Sequence, residues 1–448
     1  MRIDIPCGAL QLIARLNQAG HEAYAVGGCV RDSLLGKIPP DWDITTPAKP
    51  PEIAEIFADF KQIRFGSRHG TIAVKPPGAE NYYEITTYRI DGNYADGRRP
   101  DSVSFTHNLT EDLRRRDFTI NAMAYSPNEG LIDPFGGAVD LAARQIRCVG
   151  ASEHRFSEDY LRIIRAYRFA AVLGFDLEPN THKAAKALRH NLAKIARERI
   201  GAEISKLLVA ENFTAIRIFF DDNADVLFPE IAALRGFAQN NPYHIYDVYD
   251  HSLEVLRHTS PALHMRLAAV FHDVGKLHTK TTKPCGTDSF KSHPKYSLQI
   301  AKKALRFYCF DSITTAKTLN LIRYHHHTLN PQKVAIKRFI CEHSREFATD
   351  LLDFQRADNL AKSQKAAENL ANIEAAAKVL AEILDTEEPA TLKDLALNGQ
   401  DIMRILKIPP GPAVGGHLKV LLEAVIEDPS LNDAEKLVNL LGLTDSNP

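Results

Sequence analysis

The stretch Gly27-Gly28-Cys29-Val30-Arg31-Asp32-Ser33-Leu34-Leu35-Gly36, followed by Asp41-Trp42-Asp43-Ile44, decides how the N-terminal part of this chain folds. Residues 23–26 read as a short strand entering the glycine pair, and residues 30–35 as a helix leaving it. Such a turn lets the backbone at Gly28 approach a polyphosphate closely, and Arg31 adds a cation. Asp41 and Asp43 are one residue apart. On a strand side chains alternate with period two, so both carboxylates face the same side. Two carboxylates on one face can hold a pair of Mg²⁺ ions about 3.5–4 Å apart, the clamp used for in-line phosphoryl transfer. Neither a lone Asp-x-Asp nor a lone glycine pair says much; their order and separation carry the signal.

Outward from this stretch, residues 10–19 and 51–60 read as helices, and 70–75, 82–87 and 102–106 as strands. Glu84 lies on the same side of its strand as Tyr82 and Thr86. It is either a third metal carboxylate or an exposed strand glutamate. From residue 141 onward the period is helical and β-branched runs vanish. The expected fold class is therefore α+β: a head with a small mixed β-sheet and helices, followed by all-α segments. The expected divisions are 1–140, 141–240, 241–370 and 371–448. The breaker Asn240-Asn241-Pro242 opens a histidine-rich third part. The turn Asn398-Gly399 and the breaker Ile408-Pro409-Pro410-Gly411-Pro412 punctuate the last.

A chain of 448 residues with 44% hydrophobic and 25% charged residues is a multidomain globular protein rather than a disordered one. No segment reaches the ~18 apolar residues of a membrane span, so the expectation is a cytoplasmic protein without membrane association or an obligate protein partner. Six cysteines lie far apart with no Cys-x-x-Cys pair, which excludes a zinc ribbon and points to buried thiols. The net charge of −1 does not advertise nucleic-acid binding, but the distribution does: Arg114, Arg115 and Arg116 are followed by Arg155, Arg162, Arg165 and Arg168. Lys183, Lys186, Arg189, Lys194, Arg197 and Arg199 come next, with Glu198 the acid among them.

Leu113-Arg114-Arg115-Arg116-Asp117-Phe118-Thr119-Ile120-Asn121 and Glu158-Asp159-Tyr160-Leu161-Arg162 complete a pattern. With the glycine and aspartate motifs, it resembles the class II tRNA nucleotidyltransferases and their poly(A) polymerase relatives. The resemblance implies Mg²⁺ at Asp41 and Asp43, and contacts from Arg116 to the incoming nucleotide. It also implies a helical neck that selects the base and binds tRNA, with CTP and ATP as substrates. The residues themselves explain the selection. Asp159 and Arg162 stand at i and i+3, neighbours on one helix. A carboxylate accepts from the exocyclic amine of cytosine or adenine, and a guanidinium donates to the acceptor beside it; uracil reverses both polarities. Arg165 and Arg168 continue the ridge toward triphosphate or primer. The bland alternative is a surface salt bridge.

Within the resemblance, Gly66-Ser67-Arg68-His69-Gly70 looks like the tRNA-directed members. The glycine-rich stretch 88–100 matches the loop of members that add adenosine. Both favour full CCA addition, with A-adding-only enzymes and poly(A) polymerases as the nearest rivals.

A second constellation, His251, His272-Asp273, His293, His325-His326 and Asp358, resembles HD-domain phosphohydrolases. Imidazoles and carboxylates from several helices can hold divalent transition metals and generate a hydroxide that attacks phosphorus. The other reading is an inactive helical scaffold that braces tRNA.

Overall fold

In the computed structural model, residues 3–64, 70–92 and 103–444 are described. The Gly66–His69 segment and most of the glycine-rich stretch, 93–100, lie outside these residues. The chain divides into two compact units, Met1–Phe228 and Pro229–Pro448.

The first unit opens with α1 (Cys7–Gln18), which buries Ala9, Leu12, Ile13 and Leu16, the i, i+3, i+4, i+7 stripe of an amphipathic helix. There follow β1 (Tyr24–Val26), α2 (Gly28–Leu34), β2 (Asp43–Thr46), α3 (Pro50–Ile56), β3 (Lys61–Ile63), β4 (Thr71–Lys75) and β5 (Tyr83–Thr87). The ribbon β6 (Arg89–Asp91) and β7 (Val103–Phe105), α4 (Leu109–Arg114), β8 (Ala124–Ser126), β9 (Gly130–Ile132) and α5 (Gly137–Ala142) complete the head. Seven of these strands form one sheet in the order β3-β4-β5-β2-β1-β8-β9. It is mixed, as expected: β2 and β5 pair in parallel and the other neighbours antiparallel. Tyr24 and Val26 of β1, Tyr88, Leu113 and Ala124 share one core cluster. It fastens the sheet centre to α4, which leads into Arg116 beside the glycine turn.

Helices then take over: α6 (Ser152–Glu158), α7 (Leu161–Leu173), α8 (Pro179–Leu188), α9 (Arg197–Leu208) and α10 (Phe213–Leu227). A two-residue parallel ladder, Gln145–Ile146 against Asp176–Leu177, interrupts the expected all-helical run. Gly174, at φ +69°, stops α7 in the left-handed conformation that glycine adopts without penalty.

The second unit is helical except for a two-residue antiparallel ladder, Thr281–Thr282 against Asp288–Ser289. Its helices are α11 (Pro229–Ala232), α12 (Val248–His258), α13 (Leu263–Phe271), α14 (His293–Phe307), α15 (Ser312–Tyr324), α16 (Lys333–Glu342), α17 (Arg345–Leu360) and α18 (Ala367–Asp385). The last three, α19 (Gly399–Leu406), α20 (Pro412–Glu427) and α21 (Ala434–Thr444), close around their own core of Leu397, Ile402, Leu421, Val425 and Leu437.

Two expectations need correction. Strand β2 begins at Asp43, so Asp41 precedes the strand instead of sharing it, and is exposed. The thiols are not uniformly buried: Cys29 and Cys148 are, but Cys7, Cys285, Cys309 and Cys341 are exposed. A small, weakly polar side chain is tolerated on the outer side of a helix or turn.

Candidate functional site

In the head, Asp43 opens β2 and its Cα partner across the parallel ladder is Glu84 of β5. Side chains directly opposite on neighbouring strands share a face, so Glu84 stands beside Asp43, with Asp41 two residues upstream. Glu84 is exposed. Burial pushes the Asp43 carboxyl up to about 6; Arg116 opposes that, and Asp41 and Glu84 add to it. Three carboxylates gathered in this way form a site suited to cations.

Gly27 sits at φ +81° and donates its N–H to Met123 O at 3.0 Å. A Cβ on it would lie 2.7 Å from Nη1 of Arg116, so the glycine leaves room for that guanidinium. Gly28 opens α2. Arg31 is buried, with Nε and Nη2 on Asp32 and Nη1 on Asn121 Oδ1 at 2.6 Å. All its nitrogens are thus engaged within the protein. Asn121 in turn donates to Asp117, whose Oδ2 accepts from Nε and Nη2 of Arg165 at 2.9 and 2.6 Å. Burial would raise Asp117, but Arg165 and the Asn121 bond hold its carboxyl well below the usual range. Arg168 pairs with Glu203 of α9.

The Asp159–Arg162 pair does not share one helix. Helix α6 ends at Glu158, and Asp159 is extended (φ −146°, ψ 104°) in the turn before α7. Its carboxylate accepts from Leu161 N at 3.1 Å, satisfying one of the free amides at the start of α7, and pairs with Arg199 of α9 at 2.7 Å. Arg162 pairs with Glu158 and donates to the carbonyls of Arg155 and Arg115 at 3.1 and 3.0 Å. The two side chains flank one turn without bonding to each other, so the surface salt bridge is not formed. Sequence spacing suggested a continuous helix because the short Asp-Tyr break carries no glycine or proline.

In the second unit the expected ligands converge. Asp273 places Oδ2 3.2 Å from His272 Nε2 and 3.5 Å from His251 Nε2, and Oδ1 3.0 Å from His293 Nε2 and 3.9 Å from His325 Nε2. Asp358 Oδ1 stands 3.0 Å from His251 Nε2. His326 Nε2 lies 3.3 Å from His293 Nε2. The second ring nitrogens are spoken for: Nδ1 of His272, His293 and His325 pairs with Ala269 O, Phe290 O and Ile322 O at 2.8–2.9 Å. His251 Nδ1 pairs with Ala361 O at 3.3 Å. Backbone carbonyls on Nδ1 fix the tautomer that leaves Nε2 as a lone pair, the arrangement metal ligands show. His251 Nε2, His272 Nε2 and Asp273 Oδ1 are buried without a hydrogen-bond partner. Burying three such atoms is costly unless something else satisfies them, and the donor set fits divalent metal. Lys276 Nζ (2.6 Å from Asp273) and Lys362 Nζ (2.5 Å from Asp358) add positive charge.

One member of this cluster escaped sequence reasoning. His244 lies with His251 and Asp273, ligand atoms within 4.8 Å of one another, and its Nδ1 is 2.8 Å from Asn241 Oδ1. It sits in the loop after the Asn-Asn-Pro breaker, where no helical period marks it.

Comparison with known proteins bears on both sites. The poly(A) polymerase head domain matches residues 23–147, and the probable RNA- and SrmB-binding site of polymerase A matches 174–234. The HD domain matches 248–373 and a putative tRNA nucleotidyltransferase domain 2 matches 312–441. Part by part, the chain is thus similar to tRNA nucleotidyltransferases and poly(A) polymerases. It is 50% identical over 203 residues to a CCA-adding enzyme of Leuconostoc citreum, 45% of this chain and 49% of that protein. It is also 50% identical over 200 residues to one of Geobacillus thermodenitrificans, 45% of this chain and 48% of that protein. The matched stretch thus spans about half the length of these curated relatives. The crystal structure of a Bacillus stearothermophilus CCA-adding enzyme in complex with CTP aligns with TM-score 0.70 at 28% identity, over 98% of this chain and 97% of that one. No helix among the described residues is long and apolar enough to cross a membrane.

Proposed function

We propose that this chain is a tRNA nucleotidyltransferase that builds and repairs the 3′-terminal CCA of tRNA from CTP and ATP. One observation carries the reading: Asp43 and Glu84, paired across parallel strands with Asp41 beside them, form a carboxylate cluster next to the Gly27–Arg116 contact. Mg²⁺ is the proposed ion there, supplying charge neutralisation to the transferring phosphoryl group. Asp41 and Asp43 would hold it, with Glu84 as a third carboxylate. Gly28 would leave the backbone open to the triphosphate, and Arg116, Arg165 and Arg168 would supply cations around it. Arg31 would act more by shaping the turn, since its nitrogens are already bonded. Asp159, in the turn before α7, and Arg162, in its first turn, would read the base. The names of the similar enzymes favour full CCA addition over A-only addition or polyadenylation. A cytoplasmic setting belongs to the same proposal. So does a division into head (1–140), neck and body (141–240), HD domain (241–370) and tRNA-binding tail (371–448). The test is to incubate the protein with tRNA lacking CCA, CTP and ATP, and to sequence the products. Discrete CCA ends are expected; A-only extension or long adenosine tails would overturn the reading.

A second activity has its own support. The buried, unpartnered Nε2 atoms of His251 and His272 and Oδ1 of Asp273 favour a metal-loaded phosphohydrolase centre over an inert scaffold. His251, His272, Asp273, His293, His325 and Asp358 would be its ligands, with His326 alongside. His272→Ala is expected to abolish metal-stimulated hydrolysis of a 2′,3′-cyclic nucleotide and of a simple phosphomonoester while CCA addition persists. If the wild-type protein hydrolyses neither substrate with any of several divalent metals, the scaffold reading stands.

A further inference from the structure

Phe169 of α7 is nearly buried, at 6% exposure, and three guanidiniums gather on its ring. The Cζ of Arg168 lies 3.8 Å from the ring centroid, that of Arg31 5.2 Å and that of Arg165 5.3 Å. Arg31 comes from α2 of the head, the other two from α7 itself. Phe118, next to Asp117, meets the same ring edge-on at 5.6 Å and 78°. Each arginine is also held by polar atoms: Arg31 by Asp32 and Asn121, Arg165 by Asp117, Arg168 by Glu203. The acids and the amide fix where the nitrogens point and offset part of the repulsion among three like charges around one point. Burial already lowers the proton affinity of Arg168, and the Arg165 charge adds to that. An aromatic face, negative at its centre, attracts cations that an aliphatic side chain of equal volume would leave to repel one another.

We infer that Phe169 is a positioning residue for nucleotide addition: its ring is the common face on which Arg31, Arg165 and Arg168 are held, keeping the head's glycine turn and the base-reading helix in one register around the incoming triphosphate. The inference rests on the nucleotidyl-transfer reading above. It predicts a split. Phe169 touches neither the reacting atoms nor the base, so its ring governs triphosphate affinity and not the chemical step or base choice.

The discriminating change keeps shape and removes the negative face: pentafluorophenylalanine in place of Phe169 in the full chain, with Phe169→Leu beside it and Phe169→Tyr as the conservative control. On tRNA lacking CCA, both the fluorinated and Leu proteins are expected to raise KM for CTP and for ATP by the same factor, about five- to tenfold. Their kcat should stay within about twofold, with the preference for CTP over UTP unchanged, and Phe169→Tyr should behave as wild type. A role in packing alone would leave the fluorinated protein unaltered. An unchanged KM in that protein, or a loss confined to kcat, overturns the inference. Calorimetric binding of inorganic tripolyphosphate keeps the test separate from the parent reading. A wild-type protein that adds no nucleotide sinks that reading, whereas equal tripolyphosphate affinity in wild-type and fluorinated proteins sinks this one.

Discussion

Asp43→Ala is expected to slow nucleotide addition by about 10³-fold or more while tRNA affinity stays within about twofold, because the proposed work of this carboxylate is to hold a cation at the transferring phosphoryl group. Asp43 is the first residue of a strand paired on both sides, so the backbone that carries it is set by neighbours the substitution does not touch. Asp41→Ala should act in the same direction. Single-turnover addition of CTP to a matched tRNA end measures the loss, and filter binding of the same tRNA measures what remains. A variant that keeps more than a few per cent of the wild-type rate would remove that aspartate from the metal role. A parallel collapse of tRNA binding and of the melting temperature would mean that the carboxylate is structural.

The second large effect concerns base choice. Asp159→Ala should lower kcat/KM for CTP and ATP and narrow the preference for CTP over UTP by about 10²-fold, since it removes both the acceptor for the exocyclic amine and the repulsion against uracil O4. The structure adds a complication: the same carboxylate accepts from Leu161 N and pairs with Arg199. Alanine would therefore also weaken the start of α7 by about 1 kcal/mol. Asp159→Asn separates the two effects. It keeps an acceptor for the Leu161 amide yet offers an N–H to uracil O4, so discrimination should fall further than with alanine while the melting temperature barely moves. Steady-state kcat/KM for CTP, ATP and UTP on matched ends decides it. A CTP-over-UTP ratio unmoved in both variants would place selection elsewhere.

Much of the fold could be read in the chain because its elements carry strong local signals. The 9, 12, 13, 16 stripe of α1, the alternating strands β4 and β5, and the switch to helical period after the head all follow from side-chain periodicity. What could not be read was set by pairing partners far away in sequence. Whether Glu84 is a site residue depends on which strand β5 pairs with, and only the register to Asp43 answers it. The break between α6 and α7 depends on Arg199 and on the Leu161 amide, neither of which marks itself in a residue pattern. The histidines of the second unit were legible as an ordered set, but their bonds to backbone carbonyls through Nδ1 were not, and His244 was hidden in a loop.

The parallel pairing of β2 with β5 has a consequence for how this head tolerates change. Asp43 and Glu84 are separated by forty intervening residues, yet their spacing is dictated by one ladder of backbone bonds running from Asp43↔Glu84 to Thr46↔Thr87. Insertions or deletions in the connecting crossover lengthen or shorten the path without altering the distance between the two carboxylates. The site is thereby insulated from the most variable kind of sequence drift, and a head of this design can diversify its surface around an unchanged pair of acids.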